Sequence, residues 1–234
     1  GRINLFIKGH MWAGSDVNYT TVEDADTYAN LYDHYTYRLQ QLQQEKGLWM
    51  SVYTQITDVE QECNGILTYD RKVLKVSPEQ QAAMRAKIQC TINCRYQGAT
   101  TIVAAGDESS NIQWKYTTTE PASNWYTSDF NTSGWKIGAA GFGGGGRTSW
   151  TSRDIWIRRN FKINNLEASQ LPDLCLWLFH DEDAEIYING QLAAKVTGYN
   201  TTYEPWPLLP EGLKALKFDG SDNVIAIHCK QTTG

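Results

Sequence analysis

Gly47-Leu-Trp-Met-Ser-Val-Tyr-Thr-Gln55 decides how this chain is read. Leu48 to Thr54 is a short run of apolar and aromatic residues, with Gly47 in front and polar residues behind. A run of that length and composition predicts a buried strand. A long polar segment follows, with Gln55, Thr57, Asp58, Glu60, Glu62 and Asn64. Helical patterns lie on both sides. Helix, buried strand, long polar loop and helix is the wiring of one repeat of a β/α barrel, where the loop after a strand's C-terminal end lies at the active-site face.

Upstream, Tyr28, Leu31, Tyr35, Leu39 and Leu42 recur at spacings of three and four, predicting a helix to about Lys46 with one apolar face. Gln40, Gln41, Gln43, Gln44 and Glu45 are expected on its polar face, Thr20-x-x-Glu23 reads as its capping box, and Gly47 as its C-terminal cap. His34 falls away from the loop face and reads as structural. Downstream, Ser77-Pro78-Glu79-Gln80 offers an N-cap, a first-turn Pro and a reciprocal Gln, predicting a helix to about Cys94. Ile3 to Ile7 is a short apolar run, followed by a polar loop holding His10, Trp12 and Asp16.

Tyr53-Thr-Gln-Ile-Thr-Asp-Val-Glu60, Asn64-Gly65 and Thr68-Tyr-Asp-Arg71, with Gly9-His-Met-Trp12 upstream, resemble the last barrel strand and its loop in glycoside hydrolase family 2, the branch of β-galactosidases and β-glucuronidases. The resemblance implies a TIM barrel and a retaining cleavage of β-linked sugars in oligo- or polysaccharides. It also implies that the nucleophilic Glu ends strand seven, just before Gly1, and that the acid/base Glu follows strand four. The chain is therefore expected to be a C-terminal part of such an enzyme, without either catalytic Glu and inactive by itself. The family implies a periplasmic or extracellular place. A closed barrel needs about 250 residues, so the first hundred can supply only its end. The missing barrel portion is then an expected partner, and exposed barrel edges predict a homodimer.

The chain has 234 residues, a net charge of −5 and a pI near 5.4. That balance excludes a basic nucleic-acid surface, and no apolar run is long enough to cross a membrane. The five cysteines, Cys63, Cys90, Cys94, Cys175 and Cys229, are an odd number without a Cys-x-x-Cys pair. They predict free thiols over disulfides or zinc. Glycosylation sequons begin at Asn18, Asn131 and Asn200.

Residues 99–113 are rich in Ala, Gly, Ser and Thr and read as a linker between a 1–98 barrel portion and a 114–234 sandwich. From Trp114 the pattern is all-β. Ile155, Ile157, Phe161 and Ile163 alternate with polar or aromatic residues, and Leu174 to Phe179 is apolar throughout. Glu185-Ile-Tyr-Ile-Asn-Gly190 predicts a hairpin turning at Asn189-Gly190. Arg159 lands on the apolar side of its strand. A bulge there, or burial against Asp181 or Asp183, would account for it. Asn124-Trp125, Phe130-Asn131, Trp135, Asp154-Ile-Trp-Ile-Arg-Arg159, His180 to Gly190 and Asn223 to His228 resemble the galactose-binding-like jelly roll that accompanies family 2 enzymes.

Paired carboxylates are the signature of glycosidases. Asp58, Glu60 and Glu62 share one loop, whereas a retaining pair comes from different strands, so they read as sugar-recognition or loop-anchoring groups. His10, Trp12, Tyr53, Gln55, Asp58 and Glu60 are the candidate substrate-binding residues. Trp125, Trp135, Trp150 and Trp206 are candidate accessory sugar contacts, which would make the second half a binding module; a purely structural sandwich is the alternative. Gly141-Phe-Gly-Gly-Gly-Gly-Arg147 lacks the Gly-Lys-Ser/Thr of a phosphate loop. Asp181, Glu182, Asp183 and Glu185 read as a solvated or Arg-paired acidic turn rather than a calcium site. Carbohydrate is the expected partner, with no cofactor and no metal.

Overall fold

The computed structural model describes residues 2–12, 19–93, 100–164, 166, 170–171 and 174–231, with backbone alone for 89–93. Asp16, the Asn18 sequon and Cys94 lie outside the described residues, as does the side chain of Cys90. The architecture is mostly sheet, with few helices. It divides into unit 1, Gly1–Gly98 with Pro205–Pro207, and unit 2, Ala99–Glu204 with Leu208–Gly234.

In unit 1, β1 (Ile3–Leu5) pairs in parallel with β2 (Thr20–Val22), and every residue of β1 is buried. Helix α1 (Ala25–Lys46) starts one turn later than the Thr20 capping box implied. Thr20 is taken up in β2, and Asp24 caps the helix by accepting from Thr27 N at 2.7 Å. Gly47 ends it in the left-handed region, φ 69°, which suits a residue without Cβ. The buried face is rotated from the expected one. Tyr28, Leu31, Tyr32, His34, Gln40 and Gln41 are buried, while Tyr35 is exposed. The glutamines are accommodated inside partly by satisfying their amides, as where Gln41 Nε2 donates to Glu45 Oε1 at 2.9 Å. His34 is structural as read: its Nδ1 donates to Pro205 O at 2.7 Å, and its ring stacks on Trp206.

Helix α2 (Pro78–Asn93) begins with the reciprocal cap written in its sequence. Gln80 N donates to Ser77 Oγ at 3.1 Å, and Ser77 N donates to Gln80 Oε1 at 2.7 Å. Lys87 pairs with Asp33 of α1, and Gln80 Nε2 donates to Asp26 Oδ1 at 2.6 Å.

The strand expected at 48–54 does not form. No described strand pairs with it, and Trp49, Met50 and Val52 are 97%, 77% and 77% exposed. A parallel strand buried on both faces needs a neighbour on each edge and a layer above and below. Here the parallel pairing of named strands in unit 1 is three residues long. The polar loop is the buried part instead: Asp58, Cys63, Asn64, Thr68 and Lys75 are all buried. Its turns are closed by bridges Thr57↔Leu67, Val59↔Glu62 and Leu67↔Leu74. Gly65 is required there, because a Cβ would meet Thr57 C at 2.3 Å.

Unit 2 is built on an open antiparallel sheet of six strands. They are β3 (Gln113–Thr117), β4 (Lys136–Ala139), β5 (Asp154–Phe161), β7 (Asp183–Ile188), β8 (Gln191–Val196) and β10 (Asn223–Lys230), in the order β4-β3-β5-β10-β7-β8. A further strand, β6 (Cys175–Leu178), and a short helix α3 (Pro210–Ala215) before β10 complete the unit, while β9 (Glu204–Pro207) falls mostly in unit 1. Ile155, Ile186, Ile188, Ala194 and Val196 bury one face. On the other, Trp125, Trp156 and Ala226 form a core with Tyr126, Phe130, Trp135 and Tyr187. The β7–β8 hairpin turns at Asn189 and Gly190 with φ 49° and 87°, the positive values an Asn-Gly turn supplies at least strain.

β5 pairs with β10 without interruption from Asp154 to Phe161, so no bulge sits at Arg159. Among the described residues no carboxylate pairs with it either. Its guanidinium donates to Ala104 O at 3.0 Å and lies over the Trp114 ring, 5.1 Å from the centroid. Asp183 is opposite Lys230, at the far end of β5 from Arg159. Segment 100–112 is irregular but tied to this sheet through Arg159 and through Trp114 Nε1, which donates to Gly106 O at 2.9 Å. Among the described residues Cys63 and Cys229 are free thiols.

Candidate functional site

In unit 1 two loop segments about sixty residues apart in sequence come together. His10 Nδ1 donates to Asp70 Oδ2 at 2.8 Å, and Thr68 Oγ1 donates to Asp70 Oδ1 at 2.7 Å. Two residues after His10 and one before Asp70, Trp12 meets Tyr69 edge to face, with ring centroids 4.9 Å apart. Asp70 also accepts from Lys72 N, so its carboxylate organises its own turn while it holds His10. The His10 hydrogen bond, with that of Thr68, draws the Asp70 pKa down to about 2. The outcome is a fixed imidazole and two partly exposed rings side by side.

A second group surrounds the end of the exposed segment. The Tyr53 and Tyr28 hydroxyls meet at 3.0 Å, and Tyr28 donates onward to Gly65 O at 3.3 Å. Tyr32 lies edge to face with Tyr53 at 5.3 Å. Burial keeps all three phenols protonated: the pKa of Tyr28 and Tyr53 is raised, and that of Tyr32 is pushed up to about 12. Gln55 Nε2 donates to Asn64 Oδ1 at 3.3 Å, and Asn64 Nδ2 donates to Glu62 Oε2 at 3.1 Å.

The loop between residues 58 and 75 also holds a buried ion pair. Lys75 Nζ donates to Asp58 Oδ1 at 2.7 Å and to Cys63 O at 2.8 Å. Asp58 Oδ1 also accepts from Gly65 N at 2.8 Å. Burial raises the Asp58 pKa and lowers that of Lys75, each opposed by the partner's charge. Asp58 is thus an anchor of the loop, closed to any sugar hydroxyl.

Of the six candidate residues, the structure brings His10 and Trp12 together with Asp70 and Tyr69. It places Tyr53 and Gln55 in the second group, buries Asp58, and leaves Glu60 exposed in a turn at φ 50°. Thr68, Tyr69, Asp70, Asn64 and Lys75 were missed as site residues. The Thr68-Tyr-Asp-Arg71 run was visible, but nothing in the sequence names its partner at His10. Among the described carboxylates of these segments, Asp58 is bound to Lys75, Glu62 to Asn64 and Asp70 to His10.

In unit 2, Trp125 and Trp206 are 8% and 7% exposed, so neither ring face is open to a sugar; Trp206 itself groups with unit 1. Trp135 is half-buried against Phe130, and Trp150 donates its indole N–H to Ser152 Oγ at 3.0 Å. In the acidic turn, Asp183 Oδ1 accepts from Gly198 N at 3.0 Å and Glu185 pairs with Lys195 at 3.3 Å, in place of an arginine.

No family model matches the chain, and no curated protein matches it. Among solved structures it is similar to a glycosyl hydrolase family 2 member from Bacteroides cellulosilyticus, with 17% identity and a TM-score of 0.38 over 52% of this chain and 17% of that one. It is similar to a β-glucuronidase of Bacteroides uniformis, with 18% identity and a TM-score of 0.37 over 55% of this chain and 14% of that one. A third is a β-glucuronidase from Ruminococcus gnavus in complex with D-glucuronic acid, with 12% identity and a TM-score of 0.35 over 51% of this chain and 20% of that one. The chain spans a fifth or less of the length of these neighbours. These neighbours are glycosidases, and at such scores the overlays by themselves carry no argument.

Proposed function

We propose that the chain is part of a retaining glycoside hydrolase acting on β-linked sugars, in which unit 1 lines the sugar site without supplying either catalytic Glu. The observation that carries this reading is the meeting of His10 and Trp12 with Asp70 and Tyr69. It joins the two segments on which the family resemblance rests and sets aromatic rings beside an oriented imidazole. Aromatic rings stack on sugar C–H groups, while an imidazole whose Nδ1–H is held by a carboxylate turns its other nitrogen outward to accept from a sugar hydroxyl. Tyr53 and Gln55 add neutral hydrogen-bonding groups, and the Asp58–Lys75 pair holds the loop that carries them.

In the complete enzyme, barrel strands outside this chain cover Trp49, Met50 and Val52. Lacking that cover, two copies pair through the same segment. The purified chain is expected to leave aryl β-glycosides intact, and measurable turnover overturns that expectation. The coding sequence upstream of Gly1 tests the rest. Barrel strands with a Glu just before Gly1 support the proposal; a start codon or an unrelated domain there overturns it.

A further inference from the structure

The exposed aromatic rings of unit 2 are not the tryptophans that the sequence singled out. Along β6 and the residue after it exposure alternates: Leu176 and Leu178 are half-buried and His180 is buried, while Trp177 and Phe179 are 43% and 53% exposed. Period-two alternation sets these two rings on one side of an extended segment, roughly 7 Å apart. The backbone that carries them is held on both sides of Phe179. Asn200 Nδ2 donates to Leu178 O at 3.0 Å, and Asn200 Oδ1 accepts from His180 N at 2.9 Å. Phe179 leans on Tyr203, ring centroids 5.7 Å apart, and the Tyr203 hydroxyl donates to Glu108 Oε2 at 2.6 Å. Beside that carboxylate begins the glycine-rich loop: a Cβ on Gly141 would lie 3.9 Å from Glu108 Oε2. At this point the loop presents a glycine, with no Cβ against the carboxylate.

The size of the patch discriminates between occupants. Two aromatic side chains about half exposed present roughly 200 Å². A standard protein interface covers about 800 Å² per partner. The row is too small for a protein and matches the faces of a few sugar rings. We propose that Trp177 and Phe179, with Tyr203 and Glu108 beside them, bind the pyranose rings of a neutral polysaccharide. The ring faces stack on sugar C–H groups, and Glu108 accepts hydrogen bonds from sugar hydroxyls. A carboxylate on the rim repels uronic acids, which sets the preference for a neutral chain. This inference does not depend on the reading of unit 1.

Affinity electrophoresis of the full chain in gels containing barley β-glucan, arabinoxylan, pectic galactan or polygalacturonate tests it. Retardation is expected with at least one of the three neutral polymers and absent with polygalacturonate. Trp177→Ala and Phe179→Ala should weaken binding at least tenfold, and Glu108→Gln, at an exposed position that leaves folding intact, should weaken it severalfold. Trp177→Phe should retain most of it. Thermal melts check that each variant is folded. No retardation by any neutral polymer, retardation by polygalacturonate alone, or folded Trp177→Ala and Phe179→Ala variants that bind like the parent would overturn the proposal.

Discussion

Asp58 and Lys75 bury opposite charges with side chains 1% and 0% exposed, and both are needed for either to be tolerated. Removing the lysine strands a carboxylate that burial already drives toward its neutral form. Lys75→Met is therefore expected to cost unit 1 about 3–5 kcal/mol, and the double change with Asp58→Asn distinctly less, because no unpaired charge remains. Chemical denaturation of the three proteins checks the order. The His10–Asp70 pair differs in kind, since it is open to solvent and so tunes more than it stabilises. The Asp70 pKa of about 2 lies below its ordinary 3.8. Its stabilising contribution is accordingly full above 3.8 and is lost as pH falls from there through about 2. A carboxyl titration followed by NMR should place the Asp70 midpoint near 2, and His10→Ala should return it toward 3.8.

At the scale of elements, the segment 48–56 sets the chain's behaviour in solution. Trp49, Met50, Val52 and Ile56 are exposed and carry no charge, in a segment that forms no strand. An exposed apolar run of this kind invites association with another chain. Light scattering should show association that grows with concentration, and Trp49→Lys with Val52→Lys should abolish it while leaving the helical content unchanged. A strictly monomeric parent would refute this. The same segment marks where the sequence stops being legible. Local signals were readable because their partners are local: Ser77 and Gln80 cap one another across three residues, Gly47 closes α1, and Asn189-Gly190 turns a hairpin. The apolar run at 48–54 announces a need for burial, but not who meets it. Likewise His10 and Asp70 lie sixty positions apart, and no pattern in either segment points to the other. The helix α1 stripe was misjudged for a related reason. Gln40 and Gln41 are polar by composition, yet amides can be buried once bonded, so hydropathy alone puts them on the wrong face.

For the whole molecule, each unit has its own buried polar anchor, and that sets how the chain should unfold. Unit 1 is centred on Asp58 and Lys75 beneath its loop. Unit 2 has a counterpart in Asn223, wholly buried. Its Oδ1 accepts from Asn189 Nδ2 at 2.7 Å and from Lys217 N at 2.9 Å, and its Nδ2 donates to Lys217 O at 2.9 Å. Asn189 returns the tie by accepting from Val224 N at 2.8 Å, so the hairpin turn, the segment after α3 and the start of β10 are locked through one amide pair. Asn223→Ala would strand several of these groups, at about 1–3 kcal/mol for each one left unsatisfied. Domains with separate cores unfold as separate cooperative units. Hydrogen exchange followed by mass spectrometry at rising denaturant should therefore give two transitions. Lys75→Met should lower the one read in peptides of α1 and the 57–76 loop, and Asn223→Ala the one read in β5, β7 and β10. If either substitution moves both sets of peptides equally, the chain has one cooperative core, and the division at Gly98 is geometric without being energetic.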